Sequence, residues 1–110
     1  MSFILKSSLA LIGLLTLSTV VSAQTPADGE KVYAAQRCSI CHSIAGKGNA
    51  KGALDHVASK LSAAEIRSWM TDAEGMTTKM KAARKPVMKS YPKMTRADLD
   101  ALVVYLQSLK

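Results

Sequence analysis

Apolar residues in this chain change their spacing several times, and each change predicts a different element. Met1 to Lys6 carries one positive charge, and Ser7 to Val21 follows as a Leu-rich run with no charge in it. Asp28 can cap a helix from about Gly29 to Arg37, with Val32, Tyr33 and Gln36 along it. Ser62-Ala63-Ala64-Glu65 has the form of a capping box, and Ile66, Trp69 and Met70 then share one helical face at i, i+3, i+4. Thr71 to Gly75 breaks that helix, and a short third one over Ala73 to Ala83 follows. Thr95 caps a last helix with Asp98 in its first turn; Leu99, Leu102, Val103 and Leu106 form its apolar stripe, extended by Leu109.

Two stretches lack any such period. Ser43 to Leu54 holds Gly46, Gly48 and Gly52 with Lys47 and Lys51, the composition of a loop. Arg84 to Met94 contains Pro86 and Pro92, which oppose helix and push their preceding residues towards extended backbone. Asp55 to Lys60 gives no clear signal. No stretch alternates with period two, and nothing repeats internally, so the expectation is one all-α domain.

The N-terminal run reads as an address. Val21-Ser22-Ala23 offers the small residues of a signal-peptidase site directly after an apolar run too short for a comfortable membrane span. Residues 1–23 are therefore expected to be a cleaved secretory signal, and residues 24–110 an exported, periplasmic domain with no membrane span. Retention of the signal would tether the same domain to the outer face of the inner membrane. Loss of Lys6 takes the formal charge from +7 to +6. A domain this small gains only marginal stability from side chains alone.

The cysteines change the picture most. Both lie in Cys38-Ser39-Ile40-Cys41-His42, a C-x-x-C-H in which two thiols one turn apart can form thioethers to haem vinyl groups while His42 turns its ring onto the iron. A thioredoxin-like dithiol would need a βαβ setting, which is missing. Zinc needs about four ligands, and His56 is the one further candidate. A C-x-x-C disulfide closes too small a loop to stabilise a fold much. One covalent haem c is the expectation, and a large apolar macrocycle would also complete the core. No Ser/His/Asp set, paired carboxylates or phosphate-binding glycine loop suggests an enzyme. The second iron ligand must come from Met70, Met76, Met80, Met88, Met94 or His56.

With this motif near the start and Leu99-Asp100-Ala101-Leu102-Val103-Val104-Tyr105-Leu106 near the end, the chain resembles the small bacterial class I c-type cytochromes over nearly all of residues 26–110. The resemblance implies a monohaem fold in which the first and last helices cross around Gly29 and Tyr105, with Leu102 and either Val32 or Tyr33 completing the contact. It implies that Trp69 donates its indole N–H to a haem propionate. Met88 stands at the family's distance from Tyr105 in a loop, Arg84 to Pro92, like the family's ligand loop, and so becomes the second axial ligand; Met94 is the rival. The family usually has a proline whose carbonyl holds the proximal histidine, and Ala53 is taken as the matching position. His56 stands where glycine is common and is read as a solvated loop residue rather than a spare ligand.

Such a cytochrome with no open iron position is a monomeric electron carrier, not an enzyme. The alternatives are a haem subunit of a periplasmic oxidoreductase, for example one oxidising sulfur compounds, or a ligand-binding haem sensor. Between Gly75 and Ala97 there is no acidic residue, while Lys79, Lys81, Arg84, Lys85, Lys89, Lys93 and Arg96 surround the expected ligand loop. A basic collar there suits redox partners with acidic docking faces. Nucleic acid is excluded as a partner by export and by the lack of a binding fold.

Overall fold

A computed structural model describes residues 12–18 and 23–110. The expected signal, residues 1–23, lies for the most part outside them; its described part, 12–18, is exposed and has no regular structure. Among the described residues no helix is long and apolar enough to cross a membrane.

Among the described residues five α-helices carry the fold: α1 (Pro26–Ala35), α2 (Val57–Lys60), α3 (Ala63–Thr71), α4 (Ala73–Lys79) and α5 (Arg96–Gln107). The first starts earlier than its apolar spacing predicts. Thr25, not Asp28, is the cap: its hydroxyl accepts the Asp28 N–H, and the Asp28 carboxylate accepts the Thr25 N–H and hydroxyl, each at 2.9 Å. Those bonds hold the Asp28 carboxyl below its ordinary range. Pro26 fits the first turn, where its missing N–H costs nothing. The helix ends at Ala35, because Arg37 adopts a left-handed backbone with φ 57° and turns the chain into the cysteine motif.

Both other capping expectations hold. The Ser62 hydroxyl accepts the Glu65 N–H and the Glu65 carboxylate accepts the Ser62 N–H at 3.0 Å. Thr95 accepts the Asp98 N–H at 3.1 Å. Asp72 caps α4 through Gly75, and that helix stops at Lys79, short of the expected Ala83; Lys81 is left-handed with φ 51°. The loop after the cysteine motif contains a two-residue antiparallel ladder, β1 (Ser43–Ile44) with β2 (Lys47–Gly48), too short to show as alternation.

Contact between α1 and α5 dominates the packing. A Cβ placed on Gly29 would stand 2.1 Å from the Ala101 carbonyl oxygen and 2.3 Å from Tyr105 Cβ, so the crossing needs glycine. Both Val32 and Tyr33 are buried there, and the Tyr33 and Tyr105 rings meet edge to face at 5.8 Å between centroids. Burial pushes the Tyr33 phenol up to about 12. Ile66 of α3 and Leu102 of α5 sit at the centre of the core. Arg67 pairs with Asp100 at 2.6 Å and joins α3 to α5 at the surface.

Candidate functional site

The left-handed turn at Arg37 opens a 3-10 turn over Cys38–Ile40, closed by the Cys41 and His42 N–H groups donating to the Cys38 carbonyl at 3.1 and 2.9 Å. Both sulfurs thus come from a single turn, and both thiols are free. Cys38 is half-buried against the core and Cys41 is exposed. Burial pushes the Cys38 thiol up to about 11, which keeps it protonated at neutral pH. A reactive dithiol needs the opposite shift, since the thiolate is the nucleophile. Among the described residues no three His, Cys, Asp or Glu side chains converge on a bare metal position. A zinc site therefore finds no support among these side chains.

His42 is held from behind. Its Nδ1 lies 2.9 Å from the carbonyl of Gly52, not of the expected Ala53. The backbone sets this choice: Ser43 bridges Ala53 and accepts the Leu54 N–H at 2.8 Å, which leaves the Gly52 carbonyl turned to the ring. With a carbonyl as partner, Nδ1 carries the hydrogen and Nε2 keeps its lone pair for a metal. Burial depresses the His42 pKa, against the pull of the Gly52 bond, and the Arg84 charge lowers it further. A neutral imidazole is the form that binds iron. Gly48, at φ 108°, keeps the facing backbone close: a Cβ there would stand 2.2 Å from the His42 carbonyl oxygen. Asn49 locks the same carbonyl with its N–H at 2.9 Å and reaches the Ile40 carbonyl with its side chain at 3.2 Å.

Beside this loop opens a crevice of about 740 Å³, lined by Ala53, Val57, Leu61, Trp69 and Met80, with Asp55, His56 and Lys60 also on its wall. Its walls are mainly apolar, as a large flat macrocycle requires, and Lys60 can meet a carboxylate there, whereas Asp55 would repel one. Cys38, Cys41, His42 and Met88 do not line the crevice, which adjoins the His42 loop at Ala53. By chemistry the donor set fits a haem, with two thiols on one turn, an imidazole with a free Nε2 and several methionines in the chain. Trp69 lies on α3, half-buried against the core, and faces this crevice. His56 is exposed, begins α2, and its Nδ1 is 3.1 Å from the Lys110 carbonyl, so its one polar contact ties α2 to the chain end. Met80, one of the candidate iron ligands set behind Met88, is 40% exposed and lines the crevice.

The other methionines divide by surroundings. Met70 and Met76 are buried in α3 and α4 as core filling. Met88 and Met94 are both half-buried against the core. Met88 hangs between two fixed points. Upstream, Arg84 packs on Gly52 of the His42 loop. Downstream, the Ser90 hydroxyl accepts the Ala73 N–H at 2.8 Å and the Tyr91 N–H donates to the Met70 carbonyl at 2.8 Å, on the α3–α4 side. Met94 lies beyond that second anchor, in a turn closed by its own N–H on the Tyr91 carbonyl, and lines a surface hollow with Ala35 and Arg37.

The family model for cytochrome c matches residues 26–110. The chain is a member of the cytochrome c family. That membership accounts for the crossing of α1 and α5, for two cysteines on one turn beside a histidine, and for the apolar crevice. It implies haem of the c type as cofactor and electron transfer as the work of the domain. One curated relative is cytochrome c oxidase subunit 2 of Alkalihalophilus pseudofirmus, 29% identical over 91 residues that cover 74% of this chain and 25% of the relative. The cytochrome chain thus spans about a quarter of that protein's length. No solved structure matches it.

Proposed function

We propose that this cytochrome c is a periplasmic, monomeric electron carrier with a single covalent haem, ligated axially by His42 and Met88. The reading rests above all on the His42–Gly52 bond, which fixes the ring's orientation with the hydrogen on Nδ1 and leaves Nε2 available. Met88 is the partner ligand because the chain from Arg84 to Tyr91 runs between anchors on the His42 loop and on the α3–α4 junction. Met94 sits outside that span. When bound, the haem supplies a one-electron change at iron with no bond made or broken to substrate. The protein's own residues do the rest. Cys38 and Cys41 tether the group, Ala53, Val57 and Leu61 keep water from it, and Trp69 offers an indole N–H to a propionate. A closed coordination sphere leaves no place for substrate, which is why a carrier is favoured over an enzyme. Export rests on residues 1–23, whose charged start, apolar run and Val21-Ser22-Ala23 site fit a cleaved signal.

A second reading has its own support. The similarity to a cytochrome c oxidase subunit 2 suits a domain that hands electrons to a larger oxidoreductase instead of diffusing freely. Both readings need a docking face. Lys79, Lys81, Lys85, Lys89, Lys93 and Arg96 are exposed around the Met88 loop, with the Lys89 ammonium over the Tyr91 ring at 5.6 Å. Electron transfer to an acidic partner should slow steeply with salt, because surface charges are screened beyond about 10 Å at 0.1 M. Changing Lys85 and Lys89 to Glu should slow it further at low salt and flatten the salt dependence, leaving the absorption spectrum intact. Changing Lys31, exposed on α1, serves as the control. Equal slowing per unit of charge removed would show that net charge alone matters and no docking face exists.

A further inference from the structure

Arg84 belongs by sequence to the basic collar, but its surroundings separate it from the other six members. Those six are exposed, whereas Arg84 is half-buried. Its guanidinium lies directly on Gly52: a Cβ there would stand 2.1 Å from Nη1 and 3.0 Å from Cζ, and 2.2 Å from the Cys41 carbonyl oxygen. Gly52 is also the residue whose carbonyl holds His42. One ion pair, Arg67 with Asp100, is found among the described residues, so no carboxylate there neutralises Arg84.

We propose that Arg84 is a positioning residue that raises the reduction potential of the haem iron and clasps the Met88 loop onto the His42 loop, rather than a docking residue. The inference rests on the His42–haem reading above. Reduction lowers the positive charge of the iron centre by one unit. A cation packed beside the proximal loop therefore favours the ferrous state. Partial burial makes that charge felt more strongly than an equal charge in water. Exposed neighbours such as Lys85 are screened and contribute little. The clasp follows from chain distance, since Arg84 stands four residues before Met88 and the segment's other end is fixed at Ser90 and Tyr91. Glycine at position 52 is what leaves room for the guanidinium.

Potentiometric titration of the purified haem-loaded protein tests this, with Arg84→Gln, Arg84→Lys and Lys85→Gln compared. Arg84→Gln should shift the reduction equilibrium towards ferric about tenfold, which for a one-electron couple is about 59 mV. Lys85→Gln should shift it less than twofold. Arg84→Lys keeps the charge and should recover most of the potential. The salt dependence of electron transfer should change with Lys85→Gln and stay nearly constant with Arg84→Gln. If Arg84→Gln yields no haem-loaded protein, Arg84→His switches the charge with pH, and its potential should fall more steeply than the unmutated protein's as pH rises through the imidazole range. Equal shifts for Arg84→Gln and Lys85→Gln, or a potential unmoved by Arg84→Gln together with an unchanged pH dependence in Arg84→His, would overturn the proposal. An error in the Met88 assignment shows separately, as a missing sulfur-to-iron band in the unmutated ferric protein.

Discussion

Met88→Ala is expected to abolish the weak ferric sulfur-to-iron absorption band, lower the midpoint potential and open the reduced iron to carbon monoxide. Thioether sulfur is a soft, neutral donor that favours ferrous iron, so its loss moves the potential down. The fall should exceed about 59 mV, a tenfold change in the reduction equilibrium. Met94→Ala should leave band, potential and carbon monoxide resistance nearly intact. The difference follows from where the two side chains are hung. Met88 lies between the Arg84–Gly52 contact and the Ser90–Ala73 bond, whereas Met94 is turned back on Tyr91 next to the α5 cap. The folded chain should survive either change, since both residues are only partly buried at the edge of the core. The reverse pattern would transfer the ligand role to Met94.

Gly29→Ala should be strongly destabilising. In an open helix this substitution stabilises by about 0.5–1 kcal/mol through backbone entropy. Here the added methyl would sit 2.1 Å from the Ala101 carbonyl oxygen and 2.3 Å from Tyr105 Cβ. Neither atom is the free end of a flexible side chain, so α1 and α5 must separate. Overpacking of this kind costs about 1–3 kcal/mol, and rigid backbone places it at the upper end. Separation would also loosen the Tyr33–Tyr105 contact and tilt the helix that leads into Cys38. Denaturant unfolding of the haem-loaded protein should show a loss of about 2 kcal/mol or more. A midpoint at or above that of the unmutated protein would mean that the helices cross more loosely than these distances state.

The residues most legible in the sequence are those whose partners lie a turn away. Ser62 with Glu65, and Thr95 before Asp98, mark helix starts because hydroxyl, carboxylate and exposed amides meet within four residues. The same logic, applied one turn earlier, would have found Thr25 with Asp28; Asp28 looked like the cap because Pro26 obscured the first turn. The Gly29–Tyr105 crossing was legible through the family resemblance. What stayed hidden depends on backbone direction over longer distances. Every residue has a carbonyl, so nothing in residue type distinguishes Gly52 from Ala53 as the partner of His42; the Ser43–Ala53 bridge does. A two-residue ladder such as β1–β2 is shorter than any alternation a sequence can display. Arg84 looked like its basic neighbours because charge is visible in a sequence and burial on a distant glycine is not.

Intact-mass measurement of the purified protein tests the central claim, a single haem bound through Cys38 and Cys41, most directly. The expected result is the polypeptide from about Gln24 onwards plus one haem, retained after denaturation and acid extraction. A mass equal to the bare polypeptide, from protein made where haem attachment is active, would contradict it.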